Sequence, residues 1–146
     1  MLKTGVVVLT VESVRRLIAA GGRPPIGETL GFQLVDCGDG WAVFEGNPGP
    51  ETYNPMNIVH GGYAATLLDS ACGIATVTKL ADDQSMTTLE LKTSYLRAMT
   101  ANTGKVRAEG KVISIGRRVA FSEARLTDED GRLLATATST LLIMSN

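Results

Sequence analysis

The chain has 146 residues, 44% hydrophobic and 20% charged, with 14 Lys and Arg against 15 Asp and Glu for a net charge of −1. That length fits one domain with a real core, and the composition is that of a folded globular chain rather than a disordered or fibrous one. No basic field exists to gather the phosphates of a nucleic acid, so a nucleic-acid partner is not expected.

In chain order, the apolar run at residues 6–9 is broken by Thr10 and Glu12 and is shorter than a signal-peptide core. Thr10 is a candidate helix N-cap: Val14, Leu17 and Ile18 follow on one face, Glu12 lies in the first turn, and Gly21-Gly22 supplies a stop. Residues 23–30, with Pro24, Pro25 and Gly27, read as a loop. Residues 1–30 thus make an N-terminal extension with a short helix, ahead of a core over residues 31–146. Residues 32–36 and 41–45 flank Cys37-Gly38-Asp39-Gly40 as a hairpin. Residues 47–59 hold Pro48, Gly49, Pro50 and Pro55, which predict a long irregular connection of the kind that often carries function.

From Gly61 the pattern changes. Tyr63, Ala64, Leu67, Leu68, Ala71, Cys72, Ile74, Ala75 and Val77 cover nearly every face of a helix, which must then be buried on most sides. Residues 64–77 include Asp69 and fall short of the ~20 residues of a membrane span, so no membrane partner is expected. Beyond the helix the chain alternates with period two. Leu89, Leu91, Thr93 and Tyr95 stand against Thr88, Glu90, Lys92 and Ser94, and Val106, Ala108 and Val112 against Lys105, Arg107, Glu109 and Lys111. Two more strands, at residues 118–127 and 132–144, follow turns at residues 114–116 and 128–131, with an earlier turn at residues 102–104. Cys37 and Cys72 have no paired spacing and read as free thiols in a reducing, cytoplasmic setting. The order is helix, two strands, buried helix, four strands. A helix apolar all round can be covered only by a curved antiparallel sheet that wraps it, with something else closing the open side. This α+β arrangement is the hotdog fold; a ferredoxin-like sandwich would need a second long helix, and none follows Val77.

The segment with the most chemistry is Asn54-Pro55-Met56-Asn57-Ile58-Val59-His60-Gly61-Gly62, which runs straight into the buried helix, with Asp69 nine residues after His60. Gly61 and Gly62 at a helix start leave backbone N–H groups unshielded, and the helix dipole adds positive character there. Such donors can supply ~3 kcal/mol of stabilisation to an oxyanion. Asp69 sits in the most apolar helix of the chain, where an unpartnered carboxylate is expensive.

In these residues the chain resembles the PaaI-like, phenylacetate-degradation-type hotdog thioesterases. The likeness runs from about Phe32 to the C-terminus and includes Gly116-Arg117-Arg118 and the last Asp-Gly turn with its Ala-Thr-Ala strand. It implies hydrolysis of an acyl-CoA thioester without a cofactor or metal. By resemblance, Asp69 attacks the carbonyl or activates water, Gly61 N–H holds the oxyanion, Asn54 holds the carbonyl or the water, and Thr88, facing out of its strand, positions water. Gly62, Arg117 and Arg118 are the candidate substrate contacts, the two guanidinium groups for CoA phosphates. His60, the one histidine, either caps the helix and holds the loop or takes a direct part in the chemistry.

Gly61 and Asp69 are eight residues apart, ~12 Å along one helix. One carbonyl cannot touch both, so a shared site needs Asp69 from one subunit and Gly61 from another. The resemblance likewise implies sites built across the interface of a homodimer, which can pair further into a homotetramer. Two other readings use the same pocket: an acyl-thioester hydratase or dehydratase, which needs a catalytic His with an acid, and a non-catalytic acyl-CoA-binding domain. The acyl group stays open, with Tyr63, Leu67 and Met86 as candidate lining.

Overall fold

The computed structural model describes residues 9–145; of the apolar run at residues 6–9 only Leu9 lies within them. Helix α1 (Val11–Ala19) starts where the capping signal placed it. The Thr10 side chain accepts from the Ser13 backbone N–H, and Ser13 returns the bond to the Thr10 N–H, closing a capping box. After it, Gly21 and Gly22 take φ of 104° and 74°, and the Gly22 N–H bonds back to the Leu17 carbonyl at 2.7 Å. Val14 is fully buried, and Leu17 and Ile18 pack beside it.

The loop predicted at residues 23–30 is instead mostly a helix, α2 (Pro25–Leu30). Proline breaks a helix interior but suits its first position, where its missing N–H has no intrahelical acceptor to lose. Gly31, left-handed at φ 73°, closes this helix through a 2.8 Å bond to the Gly27 carbonyl.

Strands β1 (Phe32–Gly38) and β2 (Trp41–Gly46) form the predicted hairpin, with the turn narrowed to Asp39-Gly40. Helix α3 (Gly61–Val77) follows, then β3 (Gln84–Tyr95), β4 (Val106–Ile115), β5 (Val119–Thr127) and β6 (Leu133–Ser145). The turn expected at residues 114–116 begins two residues later, because Ser114 and Ile115 still pair with Phe121 and Ala120. All six strands join one antiparallel sheet in the order β1-β2-β4-β5-β6-β3. The sheet wraps α3, and register shifts interrupt four of its five pairings. Such bulges bend and twist strands, which lets a sheet curl around a helix. Gly110 brings β4 against α3, since a Cβ there would collide with the Ala71 carbonyl. This is the hotdog arrangement.

Eleven of the 17 residues of α3 are buried, and Leu67, Leu68, Ala71, Cys72 and Ala75 are fully so. One stripe of α3 stays partly open, formed by Gly62, Ala65, Thr66, Asp69 and Ser70. β3 is the sheet edge on the far side from β1, and none of its residues is buried. No helix among the described residues is long and apolar enough to cross a membrane.

Candidate active site

The connection before α3 is largely irregular, with one 3-10 turn (Pro50–Thr52) and a single bridge between Tyr53 and Val59. Three backbone bonds of 2.8 Å pin it: Asn54 N–H to the Ile58 carbonyl, Val59 N–H to the Met99 carbonyl, and His60 N–H to the Thr52 carbonyl. Asn54 is the organiser. Its Oδ1 accepts from the Met56 N–H at 2.9 Å and the Ile58 N–H at 3.4 Å, which leaves the Nδ2 end of the amide to donate elsewhere.

His60 is the N-cap of α3, and its Nδ1 accepts from the Gly62 N–H at 2.7 Å. The ring therefore takes the helix donor that the sequence offered as a substrate contact at Gly62. Gly61, at the first helical position, has no intrahelical acceptor for its own N–H. Its carbonyl accepts from the Tyr95 hydroxyl at 2.8 Å, and a Cβ at Gly61 would meet the Tyr95 ring at 3.1 Å. Tyr95 is thus a positioning residue for the glycine turn, and its place on the same strand as Thr88 was the one available sequence signal.

Two turns further along α3, Asp69 is half-buried and its carboxylate accepts from the Thr88 hydroxyl at 2.9 Å. Among the described residues no Lys, Arg or His pairs with it. Thr88 faces the helix rather than outward as expected. The register of β3 on β6 steps at Leu89, which stands out at 57% exposure, so the alternation changes phase just past Thr88.

Asp69 and Thr88 border an open, mainly apolar cavity of about 600 Å³ between α3, the start of β3 and the α1–α2 segment. Met86 lines it as expected, but Tyr63 and Leu67 belong to the closed core instead. The Tyr63 hydroxyl is buried against Gly46 with no partner among the described residues, and burial first, then the nearby Glu51 charge, pushes its pKa from 10.0 to about 12.

One chain brings Asp69 to Thr88, and Gly61 to Gly62, His60 and Tyr95, but it does not join the two groups. Arg117 and Arg118 are exposed in the turn between β4 and β5, free of ion pairs among the described residues. That turn lies toward the C-terminal end of α3, where Thr76 and Ser122 on the adjoining strand share a 2.9 Å hydrogen bond. The two arginines therefore sit near the far end of α3 from Gly61, a helix about 25 Å long. Among the described residues no three His, Cys, Asp or Glu side chains converge as a metal site.

This arrangement can be set beside known proteins. The chain is 28% identical to a 1,4-dihydroxy-2-naphthoyl-CoA hydrolase of Listeria monocytogenes, over 80% of this chain and 93% of that one. It is also 28% identical to the medium/long-chain acyl-CoA thioesterase YigI of Salmonella typhimurium, over 93% and 97% of the two chains. The solved structure of a mutant phenylacetic acid degradation protein PaaI of Thermus thermophilus superposes with a TM-score of 0.74 at 28% identity, covering 82% of this chain and 98% of that one. Residues 56–135, which include Gly61, Asp69 and Thr88, match the model of the Thioesterase superfamily. The chain belongs to the thioesterase superfamily, as a PaaI-like hotdog protein.

Proposed function

We propose that the protein hydrolyses acyl-CoA thioesters at two sites, each shared between the subunits of a homodimer. The observation that carries this reading is the Asp69 carboxylate, fixed by Thr88 at 2.9 Å, unpaired by any cation among the described residues, at the edge of an apolar cavity. A carboxylate in such a place is oriented and available, either to attack the thioester carbonyl or to take a proton from the water that does. Addition puts negative charge on the carbonyl oxygen, which the Gly61 N–H and the positive end of α3 stabilise. Collapse breaks the C–S bond and CoA leaves as the thiolate, which is protonated to the thiol. Where water attacked, the acyl group leaves directly as the acid; where Asp69 attacked, water then hydrolyses the acyl–Asp69 anhydride to the acid and restores the carboxylate. The Asn54 Nδ2 is a further donor for the carbonyl or the water. His60 supports this chemistry by holding the glycine turn in shape, and Arg117 and Arg118 are offered to CoA phosphates.

A second copy is built into the proposal. Gly61 and Asp69 lie on one helix, ~12 Å apart, so a partner's α3 alongside is needed to bring one subunit's N–H to the other's carboxylate. The open stripe of Gly62, Ala65, Thr66, Asp69 and Ser70 consists of small side chains, which permit such an approach. The β3 edge supports the same mode: it is the outermost strand of the sheet, none of its residues is buried, and Leu89 and Tyr95 are exposed on it. Both cysteines are free thiols, in keeping with the cytoplasm. A hydratase would need an available histidine beside the acid, whereas His60 is taken up as the helix cap.

The test is thiol release from a panel of acyl-CoAs by the wild type and Asp69→Asn, with folding checked for both. Loss of most of the rate in the Asn variant supports the reading; equal rates in both, or hydration of crotonyl-CoA in place of hydrolysis, overturn it.

A further inference from the structure

The cavity beside Asp69 has a wall that the matched family residues 56–135 do not supply. On one side stand Gly73 and Ile74 of α3 and Met86 of β3; on the other stand Leu9, Leu17 and Ile26 of the N-terminal segment. This wall is a fixed part of the fold. The capping box starts α1, Val14 is buried beneath it, and the Gly22 carbonyl accepts from the Leu34 N–H of β1 at 2.7 Å. At about 600 Å³ the space is of the size that holds a whole small ligand, commonly ~300–1,000 Å³. Gly73 keeps it open, for a Cβ there would meet the Met86 methyl at 3.0 Å.

The polar groups around the cavity are unequal. Asp69 and Thr88 engage each other, the Ser13 hydroxyl is committed to the Thr10 carbonyl at 2.9 Å, and the Arg16 guanidinium is turned to Glu12 at 2.7 Å in solvent. Among the described lining residues, Ser70 alone keeps an uncommitted hydroxyl. A hydroxylated aromatic acyl group would bury ring hydroxyls against Leu, Ile, Pro and Met with too few partners, and an unpartnered buried hydroxyl is costly. A saturated chain has no such demand.

Resting on the thioesterase reading, we propose that the α1–α2 segment and α3 form the acyl-binding pocket and that it selects unsubstituted aliphatic chains of medium to long length over ring-hydroxylated aromatic ones. The carbonyl lies at Asp69 and the alkyl tail runs between Leu17, Ile26, Gly73 and Met86.

The test uses S-alkyl-CoA thioethers, which bind but cannot be hydrolysed, in calorimetric titrations of the full chain. Affinity is expected to rise about two- to fourfold per methylene from butyl toward dodecyl. A dihydroxynaphthyl thioether should bind at least about tenfold more weakly than the octyl compound, within the discrimination an apolar pocket can reach. Two substitutions probe the walls. Ile26→Trp changes a rim residue that is 48% exposed, so folding is not at stake, and Gly73→Leu fills the space from α3. Each is expected to lower the dodecyl-to-butyl affinity ratio at least tenfold. Affinity independent of chain length, tighter binding of the dihydroxynaphthyl compound, or an unchanged ratio in Ile26→Trp overturns the pocket; a partner subunit filling the cavity would give the first of these. Since turnover plays no part, a chain that binds long thioethers yet cleaves no acyl-CoA keeps the pocket and loses the thioesterase reading. Cleavage with flat thioether affinities does the reverse.

Discussion

Replacing Gly61 by proline would delete one N–H and little else. Gly61 is the first residue of α3, the position where a helix accepts proline most readily. His60 before it has φ −59° and ψ 136°, in the region that a residue preceding proline adopts. The new Cβ would meet the Tyr95 ring at 3.1 Å, and Gly61→Ala brings the same contact while keeping the N–H, so the two variants differ chiefly in the donor. Loss of a single oxyanion donor lowers kcat by about 10²–10³, roughly 3 kcal/mol of transition-state stabilisation. The expectation is that Gly61→Pro falls by that factor below Gly61→Ala, with the loss in kcat rather than KM, as befits an interaction made in the transition state. The assay is thiol release from a saturating acyl-CoA, with thermal unfolding to confirm that both variants fold. If the proline variant turns over within about threefold of the alanine variant, the Gly61 N–H does not hold the oxyanion.

The other contacts of the site give separate expectations. Thr88→Val removes the hydroxyl that holds Asp69, a bond to a charged group of about 1.5–3 kcal/mol, and should cost about ten- to a hundredfold in kcat, whereas Thr88→Ser should retain most of the rate; equal loss in both would assign Thr88 a packing role only. His60→Ala removes the cap on α3 and should destabilise the fold by about 0.5–2 kcal/mol, read as a shift in denaturation midpoint that His60→Asn largely restores. A large kcat loss in the stable Asn variant would instead give His60 a part in the chemistry. Burial, with smaller contributions from the Asp69 and Glu123 carboxylates, pushes the Cys72 thiol from 9.0 to about 12. The folded chain then holds that proton more tightly than the unfolded chain, so this contribution is intact below pH 9 and is lost as pH rises from 9 toward 12. Cys72→Ala should flatten the fall in stability between pH 9 and 10, below the range where Tyr63 adds its own loss; an unchanged slope would refute the assignment.

The hotdog fold was legible because one run of sequence could be satisfied in few ways. A helix apolar on nearly every face, followed only by alternating strands, has to be wrapped by a sheet, and the capping and turn residues set most boundaries. What escaped were local exceptions to general rules. Pro24-Pro25 suggested a loop, yet proline at a helix start is compatible with α2. Period-two reading pointed Thr88 outward, and the bulge at Leu89 reversed its side; a one-residue register step leaves no mark in a pattern of alternating side chains. Of the site, the local motif around His60 and Gly61 could be read, because a helix start has fixed backbone needs. The contact of Tyr95 with Gly61 and the cavity wall made by α1 and α2 join residues 34 and more positions apart, and such pairings depend on how the sheet curls.

The most direct test of the shared site is complementation between two inactive chains. Asp69→Asn and Gly61→Pro subunits, each tagged differently, are expressed separately and together, and the mixed dimers are isolated and assayed for acyl-CoA hydrolysis. If Asp69 of one subunit works with Gly61 of the other, a mixed dimer carries one intact site and one doubly altered site, so it should recover about half of the wild-type rate, and an unsorted statistical mixture about a quarter. If both groups act within a single chain, every site in the mixed dimer lacks one of them. Activity no higher than that of the separate variants would contradict the account.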